Sequence, residues 1–177
     1  LEDYEECEKI LRKALEHGDS KDDGMNVFDN IKDVLMEDFR KPIPTGIKGL
    51  DEIMDGGLSK GELAVILAPF GVGKTTMITK IANTAMTRGY KVLQIFFEDN
   101  AKVIQRKHLS CWSKIDLNSL SLHKEEILDI AKEMESTGGQ LRLKKFSSDG
   151  TTIPVIRQYI RRLIASGFTP DVVLLDY

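Results

Sequence analysis

Cysteine is scarce: Cys7 and Cys111 stand far apart in 177 residues, with no Cys-x-x-Cys pair and no histidine at metal-ligand spacing. That argues against a zinc site or a disulfide framework and fits a reducing compartment, with both residues read as packing thiols. An excess of either charge is missing too. The 25 Lys and Arg nearly cancel the 28 Asp and Glu, leaving a formal −3. No overall basic field therefore advertises nucleic acid or an acidic membrane, although a local basic groove is compatible with the sum. Apolar runs are broken by charge or glycine far short of the ~20 residues that cross a bilayer, and the N-terminus has no basic-then-apolar signal pattern. Internal repeats and low-complexity segments are absent. What is present, 41% hydrophobic and 30% charged residues, suffices for one soluble domain, not two, and excludes a disordered tail.

Periodicity divides the chain in three. Residues 1–17 read as an amphipathic helix: Tyr4, Cys7, Leu11 and Ala14 or Leu15 form a stripe, with acidic residues early and basic ones later, as the helix macrodipole favours. Residues 18–41 read as a flexible linker, Gly18 to Gly24, followed by a short helix over 27–39 that Pro42 and Pro44 end. Residues 42–177 read as an α/β core. Its strand candidates are 62–68, 92–97, 141–146 and 172–175, and its helices are 74–88, 100–112 with Asn100 as cap, 124–136, and one that Thr152 caps and Gly167 stops. Nearly unbroken apolar strands alternating with helices predict a parallel sheet buried on both faces. A chain that opens on Leu1 and stops at Tyr177, directly after a strand-like run, reads as part of something longer.

The strongest chemical signal is Ala68-Pro69-Phe70-Gly71-Val72-Gly73-Lys74-Thr75 between a predicted strand and a predicted helix, a Walker A loop. Glycines let backbone amides turn inward around phosphates while the following helix directs its positive end at them. Lys74 would reach the β- and γ-phosphates of ATP, and the Thr75 hydroxyl would complete Mg²⁺ coordination. Ala68 stands where the strict pattern has glycine, a departure that a negative φ tolerates. Thr76 belongs to the nucleotide-binding stretch as a helix residue rather than as a second metal ligand. Val172-Val173-Leu174-Leu175-Asp176 has the Walker B form, four apolar residues and a carboxylate, which assigns Asp176 to the metal directly or through water.

Hydrolysis also needs a group to orient water. Glu98, at the C-terminal end of the second strand candidate, stands where catalytic residues gather in open parallel sheets. The competing reading is that Glu98 or Asp99 merely caps the next helix. His17, His108 and His123 form no nucleophilic or metal constellation and read as structural or exposed. Lys144, Lys145, Arg157, Arg161 and Arg162 make a mildly basic C-terminal third, read first as a solvated face and second as a subunit or phosphate contact.

With these motifs in place, residues 43–177 resemble the RecA-like P-loop ATPases, and most closely the motor domain of DnaB-type hexameric replicative helicases, bacteriophage versions included. The resemblance rests on Pro44-Thr45-Gly46-Ile47-Lys48-Gly49-Leu50-Asp51, Gly56-Gly57-Leu58, Gly61-Glu62-Leu63, the Ala68-headed loop, Phe97-Glu98 followed by Gln105-Arg106, and the approach from Thr151-Thr152-Ile153 through Arg161-Arg162 to Asp176-Tyr177. It implies a RecA-like core truncated after the Walker B strand, using ATP and Mg²⁺, with Glu98 and Lys74 catalytic. It also implies an N-terminal linker helix that docks on the adjacent protomer of a hexameric ring, single-stranded DNA as substrate, primase and a helicase loader as partners, no membrane, and a cytoplasmic location in a bacterium or a virus's host. The DNA-binding loops, arginine finger and sensor of that family follow Walker B, so no residue here takes those roles. The Gly49-Leu50-Asp51 and Gly56-Gly57-Leu58 segments are similar to KaiC-type ATPases and RadA-type recombinases as well, the alternative being a RecA-family ATPase of recombination or a regulatory ring without unwinding.

Overall fold

The computed structural model describes residues 6–7, 24–36 and 40–177 of the chain. The expected helix over 1–17 and the linker after it lie outside the described residues, apart from Glu6 and Cys7, which are helical and exposed, and Gly24. The packing reading thus fails for the Cys7 thiol; Cys111 is half-buried. The chain divides into two compact units, Leu1–Phe39 and Arg40–Tyr177. In the first, helix α1 spans Ile31–Met36, opening later than the expected start at residue 27. Residues 27–30 form a turn instead, closed by the Asn26 side chain accepting from the Phe28 amide at 3.0 Å. Residues 37–39 are outside the described set.

The second unit begins with a clamp. Arg40 donates to the carbonyls of Met54, Asp55 and Gly57 at 2.6–2.7 Å and pairs with Glu62 at 2.9 Å. One guanidinium thereby gathers the turn that follows helix α2 (Lys48–Ile53). Asp51 of α2 reaches back to accept from the Thr45 hydroxyl and from the amides of Thr45 and Gly46. Burial alone would raise its carboxyl, but these bonds outweigh it and hold the group below the usual carboxylate range.

Three parallel strands follow, β1 (Lys91–Phe96), β2 (Gln140–Lys145) and β3 (Val172–Asp176), in the order β2-β1-β3. Between them run α3 (Lys74–Thr87, before β1), α4 (Ala101–Ser113), α5 (Lys124–Ser136) and α6 (Ile153–Ala165). β1 is buried from Val92 through Phe96, as a central strand covered on both faces must be. Leu93, Ile95 and Phe97 pack on one face against Ile156 and Leu163 of α6 and against Phe168. Val92 looks the other way, joined by Val172, Leu174 and Leu141, onto Ala82, Ala85 and Met86 of α3. At roughly 25 cal/mol per Å² of apolar area removed from water, these two layers are the main source of the sheet's stability.

One strand expectation is overturned. Residues 62–68 have no regular structure and join no ladder, and Leu63, Val65 and Leu67 are 87, 79 and 94% exposed. A strand is stable only when its amides and carbonyls are paired. The described sheet ends at β3, whose outer side has no partner among the described residues. Thr152 occupies the N-cap position of α6, as expected, yet its side chain makes no capping bond; Pro154 in the first turn supplies the helix start instead.

α3 and the entry to β2 touch so closely that a Cβ at Gly139 would collide with the Met86 carbonyl and carbon. Both obstacles are backbone, so neither side can yield by a rotamer change. Gly139→Ala should therefore destabilise the fold by about 2 kcal/mol or more, read as a lower urea midpoint.

On the α3 side of β1 lies a buried polar cluster. The His108 ring of α4 is 2.6 Å from Asn83 Oδ1 of α3 and 2.9 Å from Gln94 Oε1 of β1, and all three side chains are buried. Burial depresses the imidazole to about 4. A neutral ring donates from one nitrogen and accepts at the other, so one of the two amides turns its NH₂ to the ring, which gives a partner to one of the otherwise unbonded Asn83 Nδ2 and Gln94 Nε2. Between its ordinary value near 6.5 and about 4, the unfolded chain takes up a proton that the folded chain refuses. Stability from this group is therefore intact above pH 6.5 and falls by on the order of 3 kcal/mol as the pH drops to 4. Urea unfolding of wild type and His108→Leu at stepped pH should show the variant with the shallower loss; parallel curves would contradict the assignment. His123, by contrast, is exposed beside Glu126.

Candidate functional site

The loop before α3 owes its shape to two glycines. Gly71 (φ 80°) and Gly73 (φ 103°) both adopt left-handed conformations that L side chains rarely accept. Gly73 is also the N-cap of α3 and offers no side chain to it, so the first amides of that 14-residue helix are left for an outside acceptor. Lys74, the first helical residue, folds its ammonium back onto the carbonyls of Ala68 (2.9 Å) and Pro69 (3.3 Å). Uncapped amides, a helix dipole and a neighbouring ammonium fit a phosphate chain, and the Thr75 hydroxyl with a carboxylate across the cleft fits Mg²⁺.

Strand parity decides what faces this loop. In the β1–β3 register Val92 opposes Val172, Gln94 opposes Leu174 and Phe96 opposes Asp176. Val92, Val172 and Leu174 pack on α3, so Asp176, next in the period of two, points to the same side. Glu98 continues the parity of Val92 and Phe96 just past the end of β1. Its backbone carbonyl accepts from Lys145 Nζ at 3.1 Å, which holds the turn to the end of β2.

These residues meet at one cleft of about 320 Å³. Phe70, Gly71, Gly73, Lys74, Thr75 and Thr76 line it together with Glu98 and Asp176. Ala68, Pro69 and Val72 do not line it: the first two act through their carbonyls on Lys74, and Val72 is 68% exposed. Helix α4 is capped by Asn100, whose side chain accepts from the Lys102 amide at 3.0 Å, so neither Glu98 nor Asp99 serves as cap. Arg157, Arg161 and Arg162 are exposed, away from the cleft lining.

Four lining residues escape sequence reasoning: Phe96, Asp99, Lys107 and Tyr177. Tyr177 is held edge-on to Phe97, ring centroids 5.3 Å apart. Lys107 of α4 reaches back to Asp99 at 2.6 Å. Residues eight apart across a helix start carry no motif, so only the folded backbone joins them.

A profile of the family described as "DnaB-like helicase C terminal domain" matches residues 42–177. Among curated proteins the chain is similar to a DnaB-like replicative helicase of Enterobacteria phage T4, 27% identical over 150 residues, covering 77% of this chain and 30% of that protein. It is similar also to the DNA repair protein RadA of Campylobacter jejuni, 37% identical over 75 residues (42% of this chain, 17% of RadA). The circadian clock protein KaiC2 of Synechocystis sp. is 34% identical over 98 residues (54% of this chain, 17% of KaiC2). The chain thus spans less than a third of the length of each of these relatives.

Proposed function

The chain belongs to the DnaB-like helicase C-terminal domain family, and from that premise we propose that it is the nucleotide-hydrolysing part of a replicative DNA helicase. ATP is the substrate, single-stranded DNA the track, and a hexameric ring the working assembly. Membership in the family makes the chain a RecA-related ATPase or helicase domain; hydrolysis coupled to unwinding is the finer reading. The observation that supports it most is the meeting of Gly73, Lys74 and Thr75 with Glu98 and Asp176 around one cleft.

In this reading Lys74 exchanges its bonds to the Ala68 and Pro69 carbonyls for phosphate oxygens, while the uncapped amides of α3 bind the same anion. Thr75 and Asp176 hold Mg²⁺, which supplies charge neutralisation at the phosphates. Glu98 orients the attacking water and accepts its proton. β3 ends on Asp176 and β1 leads into Glu98 two residues past its last paired position, so neighbouring strands deliver both carboxylates to the cleft. The segment over 1–17, whose sequence reads as an amphipathic helix, docks on the next protomer, and primase and a helicase loader are further partners, in a cytoplasmic setting.

The similarity to RadA and KaiC2 favours one second reading, a ring or filament ATPase without unwinding. ATPase assays of the full-length protein with and without single-stranded DNA, beside strand separation on a forked duplex, decide between them. DNA-stimulated turnover with unwinding supports the helicase. Strand pairing without unwinding supports the recombinase, and turnover indifferent to DNA supports the regulatory ring.

A further inference from the structure

The cleft holds one carboxylate more than the proposed chemistry uses. Glu98 and Asp176 have roles in it; Asp99 has none, yet it lines the same cavity. An unpaired carboxylate there would repel the phosphates, since at the reduced effective dielectric of a cleft a unit charge acts over many ångströms. It would also offer hard oxygen ligands to Mg²⁺ at a place other than Asp176. Lys107 removes both effects. Its ammonium lies 2.6 Å from Asp99 Oδ2, and both side chains are partly withdrawn from water, 29 and 39% exposed.

The arrangement is selective. Glu98 makes no ion pair with Lys107, and the lysine stays on the cleft wall while occupied by Asp99. The turn between β1 and α4 is thus pinned twice on one side, by Lys107 on Asp99 and by Asn100 on the Lys102 amide, and once from β2 by Lys145 on the Glu98 carbonyl. Each pin leaves the Glu98 carboxylate itself unbound by these cations.

We infer that Lys107 is the dedicated counter-ion of Asp99, a positioning residue that keeps this third carboxylate from repelling the nucleotide and from competing with Asp176 for the metal. The inference rests on the nucleotide-binding reading of the cleft. Lys107 acts through Asp99 and needs no contact with phosphate.

The test is equilibrium binding of fluorescent ADP to the full-length protein, with Mg²⁺ and in EDTA, for wild type, Lys107→Met, Lys107→Arg, Asp99→Asn and the double variant Lys107→Met/Asp99→Asn, with melting temperatures alongside. Lys107→Met should weaken Mg·ADP binding about 10-fold and metal-free ADP, which carries more negative charge, by a larger factor. Lys107→Arg should stay near wild type, and the double variant should recover to within about 3-fold of it. A purely structural role would weaken both nucleotide forms equally and lower the melting temperature in step, which would overturn the inference. A loss that Asp99→Asn fails to repair would overturn it as well, because Lys107 would then act on the nucleotide directly; so would no loss at all. A wild-type protein that binds no ADP, while folded, would remove the nucleotide reading and this inference with it; a wild type that binds, with a Lys107→Met that binds equally, removes the inference alone.

Discussion

Lys74→Ala in the full-length protein should reduce ATP turnover by about 10³-fold or more, to the limit of detection, with the melting temperature close to wild type. The two halves of that expectation come from different contacts. For turnover, Lys74 is the cationic side chain at the start of α3, on the wall that carries the left-handed Gly71–Gly73 turn. Backbone amides alone carry partial charges and cannot follow negative charge as it builds on the transferring phosphoryl group; a flexible ammonium can. For stability, the bonds of Lys74 go to two loop carbonyls, Ala68 and Pro69, in a loop whose neighbours Phe70 and Val72 are 92 and 68% exposed. Water replaces such bonds at little cost. Steady-state phosphate release and differential scanning calorimetry check both halves. Turnover within 10-fold of wild type would remove the Walker A role from this loop.

Local signals carried much of the fold and failed where structure depends on a neighbour. Helix α5 is found at the residues its apolar spacing predicts, and α4 opens on the Asn100 cap, because capping and periodicity are short-range. The strand expected at 62–68 is as apolar as β3, yet apolarity cannot supply a hydrogen-bonding partner, and the described sheet gives it none. The same contrast runs through the cleft. The glycines, Lys74 and Thr75 form one contiguous word; Asp176 is marked by four apolar residues ending in a carboxylate, and Glu98 only by its place at a strand end. Lys107 belongs to neither class, and the His108 contacts with Asn83 and Gln94 bridge two helices and a strand that no spacing rule connects. Buried polar contacts across elements become visible only when packing brings them within hydrogen-bond distance.

Of the two acidic residues at the tip of β1, only one should matter for hydrolysis. Glu98→Gln keeps the size and hydrogen-bonding reach of the side chain and removes its capacity to accept a proton. Binding of nucleotide, which depends on the loop amides and Lys74 across the cleft, should persist within a few fold, while single-turnover hydrolysis falls by about 10²-fold or more. Asp99→Asn is the matched control. Its Oδ2 is engaged at 2.6 Å by Lys107, which draws the side chain towards α4, and its replacement should leave the hydrolysis step within a few fold. Rapid-quench measurements under saturating ATP isolate that step from product release. The reverse ordering, with Asp99→Asn slow and Glu98→Gln near wild type, would move the base one residue along the turn and would require the Asp99–Lys107 pair to open during the cycle. The parity of β1 argues for the first ordering: Glu98 shares its side of the strand with Phe96, opposite Asp176 in the register, whereas Asp99 is drawn towards α4 by its lysine.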